Sequence, residues 1–292
     1  MVRKLSRGDI GYLAVCYLVT TLAGLMCLYP LLHVLFSSFS EGEALARHTG
    51  VMFRPAGFSL RGYQLVLKNR NIPIGYFNTL LNMALGTALN MLMTVVGAYA
   101  LSRKGYMFRR TINLLIVFTM YFSGGLIPNF LLVQQLGLYN TRWALMIPGA
   151  VTTWNLVVMK TCFQSLPASL EEAARIDGAR ELTVLFRIIL PVSTSTVAVI
   201  ALFYAVGHWN SWFNAMLYLQ NRALYPLQLF LREALISNSP TGAIEDPDSE
   251  TLYIEEVIRN ATIIVSTLPI LCAYPFVQRY FVTGVMLGSI KE

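Results

Sequence analysis

The chain has 292 residues, of which 55% are hydrophobic and only 13% charged, about half of the roughly 25% charged residues usual in soluble domains. A mean hydropathy of +0.56 agrees; a soluble domain of this length cannot hide so much apolar surface, and the composition selects an integral membrane protein. Disorder is excluded, because disordered chains are charge-rich and apolar-poor. So is a disulfide scaffold: Cys16, Cys27, Cys162 and Cys272 lie in apolar stretches without a CxxC pair and read as buried packing residues. The net charge of +7 and pI near 9.3 would suggest nucleic acid in a soluble protein. In a membrane protein, basic residues collecting in cytoplasmic loops account for them.

Six runs carry no Asp, Glu, Lys or Arg: 10–40, 71–102, 111–141, 143–159, 188–221 and 260–278. Crossing the hydrocarbon takes about 20 residues, with about 17 as the short limit. The reading is therefore all-α, with six transmembrane helices near 10–36, 78–101, 112–133, 142–162, 193–219 and 258–282. Arg142 and Lys160 can snorkel to the two interfaces and so extend the short fourth run. Arg3, Lys4 and Arg7 precede an apolar run far longer than the 7–15 residues of a signal peptide, so the first helix is expected to stay uncleaved.

The loop from Ser102 to Arg110 holds Arg103, Lys104, Arg109 and Arg110 and should be cytoplasmic. Both termini and the 163–191 loop then lie inside, and 38–77 and 220–257 outside. The second outer loop is acidic, with Glu245, Asp246, Asp248, Glu250, Glu255 and Glu256, whereas 38–77 carries five basic residues against the trend. A single membrane domain, 1–292, is expected, with no internal repeat.

The predicted spans hold no midplane carboxylate, Lys or Arg of the kind ion-coupled carriers use. Only His33 and His208 are ionisable there, and both read as hydrogen-bonded structural residues. No GxxxxGK[ST] occurs, nor any Gly-Lys pair, so the chain is not itself a P-loop ATPase. Uphill transport would need a partner's energy.

The segment Pro167–Pro191 is the most informative. Ser169 with Glu172 is a capping-box pattern that should start a short helix. Gly178 is placed to end it in a left-handed conformation. Leu182, Leu185, Phe186 and Ile189 then form one apolar stripe at helical spacing. Pro191 ends that second helix or turns it into the fifth span. Ala173-Ala174 beside Gly178 would let a partner approach the backbone closely.

Glu172-Ala173-Ala174, Gly178 and, after nine intervening residues, Ile188-x-Leu190-Pro191 match the EAA motif of ABC importer permeases, and Asp177-Gly178-Ala179 resembles the maltose-type carbohydrate importers. Met120–Pro128, Trp143–Pro148, Gly207–Phe213, Leu224–Gln228 and Tyr274–Tyr280 resemble a narrower group, the LplC/YtcP-like permeases found mostly in Gram-positive bacteria and associated with import of polysaccharide fragments. The tail Gly284–Lys291 is similar to one that lies near the ATPase dimer in that family.

This resemblance implies a type I ABC importer permease fold in the bacterial plasma membrane. It implies a second, homologous permease, two cytoplasmic ATPase copies, an extracellular solute-binding lipoprotein and an oligosaccharide cargo. The chain would catalyse nothing and carry no cofactor; ATP and Mg would sit in the ATPase. Coupling to that ATPase falls to Glu171, Glu172, Ala173, Ala174, Asp177, Gly178, Ala179, Ile188, Leu190 and Pro191, and the outer 220–257 segment, with its amphipathic stretch 227–236, is a candidate for receptor contact.

Polar residues inside spans must face protein or water, which makes Asn82, Asn90, Tyr121, Asn155, His208, Trp209 and Asn210 candidates for the sugar path. The competing role for the asparagines is bonding between helices, and for Trp209 and Trp212 an aromatic belt. Gly124, Gly125 and Pro128 should kink the third span. The alternative readings are a stand-alone channel or secondary carrier, and a membrane scaffold that docks a signalling protein.

Overall fold

The computed structural model describes residues 7–103, 105–236 and 250–289. In chain order it contains α1 (Arg7–Ser38), α2 (Gly42–Arg47), α3 (Arg61–Lys68) and α4 (Asn71–Ser102). Then come α5 (Arg109–Tyr121), α6 (Leu126–Gln135), a 3-10 turn at Arg142–Leu145 and α7 (Thr153–Ser165). The next stretch holds α8 (Ala168–Ile176), α9 (Glu181–Val184), a π-helical turn at Leu185–Ile189 and α10 (Leu190–Val192). Beyond it lie α11 (Thr194–Trp209), α12 (Phe213–Tyr218), α13 (Leu227–Ile236) and α14 (Glu250–Ser289). Among the described residues there is no strand.

The contacts fall into two units, Met1–Arg70 with Glu233–Pro269 and Asn71–Arg232 with Ile270–Glu292. In the first, α1 leaves most of its apolar side chains exposed, as a lipid-facing helix does. Its end is tied down: the Ser38 and Tyr63 hydroxyls share a hydrogen bond of 2.7 Å, and Ala56 N–H donates to Ser40 Oγ at 3.0 Å. Leu45, Met52 and Val257 form a small core there, and Gly62 lies so close to Val257 that a Cβ would stand 2.7 Å from it.

In the second unit α4 is the central rod, packed mainly on α11 and α7. Its buried face is unusual in composition: Gly75, Asn78, Thr79, Asn82, Gly86, Asn90, Thr94, Ala98 and Ser102 recur at three- and four-residue steps. Between lipid-solvated helices apolar bulk gives no net gain, so small and polar residues make the interface. Toward its C-terminus the face turns apolar, and Val95, Ala98 and Tyr99 join Met159, Phe163, Leu185 and Ile200 in the largest core.

By length and apolarity Gly8–Ser38 and Asn71–Ser102 can each cross a membrane. Three expected helices are interrupted. The one near 112–133 breaks between α5 and α6 with a bend of 111°, where Gly125 sits at φ +90 and Pro128 follows. The one near 142–162 is the 3-10 turn, a non-helical stretch through Pro148-Gly149, and only then α7. The one near 193–219 stops at Trp209 and resumes as α12. Absence of charge reports the depth of a segment, not the continuity of its helix. A further bend of 89° separates Glu181–Val192 from Thr194–Trp209.

The cysteines depart from the packing role expected of them. Cys27 and Cys272 are exposed and Cys16 and Cys162 half-buried, all free thiols; an apolar stretch in a membrane faces outward as readily as inward. Some features named from sequence, namely Arg3, Lys4, Lys104, the acidic Glu245, Asp246 and Asp248, and the end of the C-terminal tail at Lys291, lie outside the described residues.

Candidate functional site

The 165–191 loop is built by local backbone chemistry. Helix α8 starts at Ala168 with Pro167 as its N-cap and no side-chain cap bond. The expected Ser169–Glu172 capping box is not formed, because Pro167 opens the helix early and leaves Ser169 inside its first turn. The other end closes as expected. Gly178 has φ +77, its N–H donates to Arg175 O at 3.0 Å, and Ala179 N–H reaches back to Ala174 O at 2.9 Å. That pair of bonds is a Schellman closure. A Cβ at Gly178 would meet nothing within 4 Å, so the glycine is required by its backbone conformation and not by crowding.

The loop has two faces. Glu172, Ala173, Asp177, Gly178 and Pro191 are exposed. Ala174 is buried in the chain's own core, with Ala179, Ile188 and Leu190 packed against it, so only one of the two adjacent alanines is free for a partner. The expected four-residue apolar stripe is split as well. Leu185 and Ile189 are fully buried together with Val184, while Leu182 is 64% and Phe186 48% exposed. The cause is the π-helical turn, in which Leu190 N–H bonds Leu185 O. A wider turn shifts which residues share a face.

The loop is fastened to the end of α4. The Arg103 guanidinium forms an ion pair with Glu171, their side chains only 21% and 18% exposed, and it stacks over the Tyr99 ring at 4.2 Å. Tyr99 Oη donates to Glu181 Oε2 at 2.6 Å, and Arg175 bridges to Glu181 Oε1 at 2.7 Å. Sequence reading assigned Glu171 to coupling but missed Tyr99, Arg103 and Glu181. The one available signal was the four-residue spacing of Tyr99 and Arg103, which places them on one helix face.

Along the middle of α4 the contacts are neutral. Asn90 Nδ2 donates to the carbonyls of Gly149 and Ala150 at 2.7 and 2.8 Å, while its Oδ1 pairs with His208 Nε2 at 2.6 Å. Gly86 makes room for that imidazole: any Cβ there would collide with the ring. Thr94 Oγ1 and Tyr204 Oη share a bond of 2.7 Å, and Thr152 N–H donates to Tyr204 Oη at 3.1 Å. Nearer the start of α4, Asn78 Nδ2 donates to the carbonyls of Ala223 and Tyr225, and the Arg142 guanidinium donates to Asn78 Oδ1 at 2.7 Å and to Asn82 Oδ1 at 3.4 Å.

Of the seven residues read as lining a sugar path, the structure joins Asn90 and His208. It buries Asn82, Asn155 and Trp209, the last edge-on to Tyr76. Tyr121, 80% exposed, and Asn210 stay outside this cluster. Trp212 instead lies under the Arg232 guanidinium at 4.0 Å. Asn78, Thr79, Thr94 and Tyr204 belong to the same polar seam and were not singled out from sequence, although Asn78, Asn82 and Asn90 share a face at steps of four and eight. No grouping of three His, Cys, Asp or Glu side chains suited to a metal occurs among the described residues.

Residues 93–237, which include the whole loop and much of the seam, match the family described as "Binding-protein-dependent transport system inner membrane component". The polygalacturonan/rhamnogalacturonan transport system permease protein YtcP of Bacillus subtilis is 39% identical over 268 residues, 91% of this chain and 93% of that one. Protein LplC of the same organism is also 39% identical, over 92% of this chain and 90% of its own length. Among solved structures, a chain from a bacterial ABC transporter involved in the import of the acidic polysaccharide alginate superposes with a TM-score of 0.86. That match is 31% identical and covers 94% of this chain and 98% of that chain.

Proposed function

From the premise that the chain belongs to the binding-protein-dependent inner membrane permeases of ABC importers, we propose that it carries oligosaccharide fragments of complex, acidic polysaccharides into the cell. The substrate class rests on the relatives named for polygalacturonan, rhamnogalacturonan and alginate. The family works with another permease, an ATPase and a binding protein; here the reading is a heterodimer with a homologous permease, two ATPase copies and an extracellular lipoprotein receptor. The chain sits in the plasma membrane with six spans and both termini inside.

The observation that carries the mechanism is the exposed face of the 165–191 loop. Glu172, Ala173, Asp177 and Gly178 project from a short helix whose opposite side is pinned to the chain's own core. A helix fixed on one side and bare on the other is suited to seat in a cleft of the ATPase. Closure of the ATPase dimer on ATP would draw the two such helices of the permease pair together. The spans would then rock between inward- and outward-facing packings, a rigid-body transition between discrete states. Hydrolysis resets them.

The bonded seam narrows the path. Asn90 and His208 satisfy each other and two carbonyls, which gives them a structural part. Tyr121 and Asn210, with free faces, are the better candidates for meeting sugar. The test is uptake of labelled oligogalacturonide by proteoliposomes holding the assembled complex and its binding protein. Uptake that requires internal ATP is expected. Equal uptake without ATP would make the chain a secondary carrier or channel.

A further inference from the structure

We infer that Arg103 and Tyr99 are positioning residues that carry the motion of the 165–191 loop into the membrane, a role that rests on the ATPase-docking reading of that loop. The two stand four residues apart at the end of α4 and grip different helices. Arg103 holds α8 through Glu171, and Tyr99 holds the following α9 through Glu181. The Arg103–Tyr99 stacking joins the two grips on the α4 side, and Arg175–Glu181 joins them on the loop side. The result is a closed ring of four links around the point where the loop meets α4.

Three features make this ring a transmitter and not a surface decoration. Its central ion pair is largely shielded from solvent, so water screens it less than an exposed pair. The Arg103–Glu171 link is shielded while Glu172, Ala173 and Asp177 are exposed, so this link can hold the loop while those residues are covered. And α4, the helix it grips, is one unbroken rod of 32 residues. That rod is hydrogen-bonded through Thr94 to α11, through Asn90 to α11 and the segment before α7, and through Thr79 to the start of α13. A displacement applied at Arg103 therefore reaches groups along the full length of the rod.

The experiment uses the complete complex, with partner permease, ATPase and binding protein, reconstituted in proteoliposomes. Sugar imported per ATP hydrolysed is measured together with the ATPase retained on purification. Arg103→Glu and Glu171→Arg are expected to keep the ATPase bound yet lower sugar per ATP by about tenfold, within the range usual for coupling between sites. The double reversal should recover most of it, because the pair is rebuilt with opposite polarity. Tyr99→Phe keeps the aromatic stacking on Arg103 and loses only the hydroxyl link to Glu181, so a drop of about threefold is expected, half a decade.

Normal sugar per ATP in either single reversal overturns the inference. So does loss of the ATPase or of folded complex in the single variants that the double reversal fails to recover. If the unmodified complex holds no ATPase, the importer reading itself falls, which is a separate result.

Discussion

The C-terminal end of α4 and its middle make polar contacts of different materials. At its C-terminus the bonds engage charged groups, Arg103 to Glu171 and the Tyr99 hydroxyl to Glu181, which is itself paired with Arg175. Along its middle they are neutral: amide to carbonyl at Asn90, hydroxyl to hydroxyl at Thr94 and Tyr204, imidazole to amide at His208. The physical reason is the solvent. Charge in the hydrocarbon is expensive, and a neutral donor aimed at a carbonyl left free by a helix break satisfies both groups at much lower cost. At the end of α4 each charge is held by a partner of opposite sign, and the pair fastens the loop to the rod. The middle is here read as glue between helices and the end as the joint to the loop.

This contrast can be broken at several points. The largest effect should come from the joint's outer face: Gly178→Asp keeps a residue that tolerates the left-handed backbone at φ +77 better than most, and places a charge where the ATPase would sit. Uptake should be abolished while membrane insertion, checked by expression level in the membrane fraction, is unchanged. In the glue, Asn90→Leu removes three hydrogen bonds, each worth about 0.6 kcal/mol between membrane helices. A loss near ~2 kcal/mol is expected, read as a lower Tm of the detergent-solubilised protein with no salt dependence.

Gly86→Ala should cost about 1–3 kcal/mol as overpacking against the His208 ring. His208→Ala should relieve most of that in the double variant, a coupling that melting curves of the four proteins would expose. At the small end, Tyr121→Ala should leave Tm within error, since the ring is exposed. A fall in uptake there would place it on the sugar path, and unchanged uptake would remove it.

Much of the architecture was legible because charge marks depth. Arg103, Lys104, Arg109 and Arg110 bracket a loop, and the long uncharged runs locate α1, α4 and α14, although these helices run several residues past the limits read from the runs. What failed was continuity. Gly124-Gly125-Pro128 was read as a kink and is a break with a bend of 111°, and Pro148-Gly149 was not read as a break inside an expected helix. In both cases the breaking residues were visible, but hydropathy averages over them.

The loop shows the same division. Gly178 announced its own turn because only one backbone conformation suits that position. The Ser169 cap was outcompeted by Pro167 two residues earlier. The Arg103–Glu171 pair links residues 68 apart in sequence, which no local pattern can reveal. The polar seam was half read: Asn82, Asn90 and His208 stood out as polar residues in apolar runs, but Asn90 bonds backbone carbonyls, which every residue carries, and Arg142, which bonds Asn82, lies 60 residues away in sequence.

The central claim is that the bare face of the 165–191 loop seats on an ATPase. The most direct measurement is a gentle detergent pull-down of the tagged chain from its host, with unmodified protein beside Gly178→Asp. The unmodified chain is expected to bring down a second permease and a P-loop ATPase, and Gly178→Asp to keep the permease and lose the ATPase. An unmodified chain recovered alone, or an ATPase retained equally by both proteins, would contradict the claim.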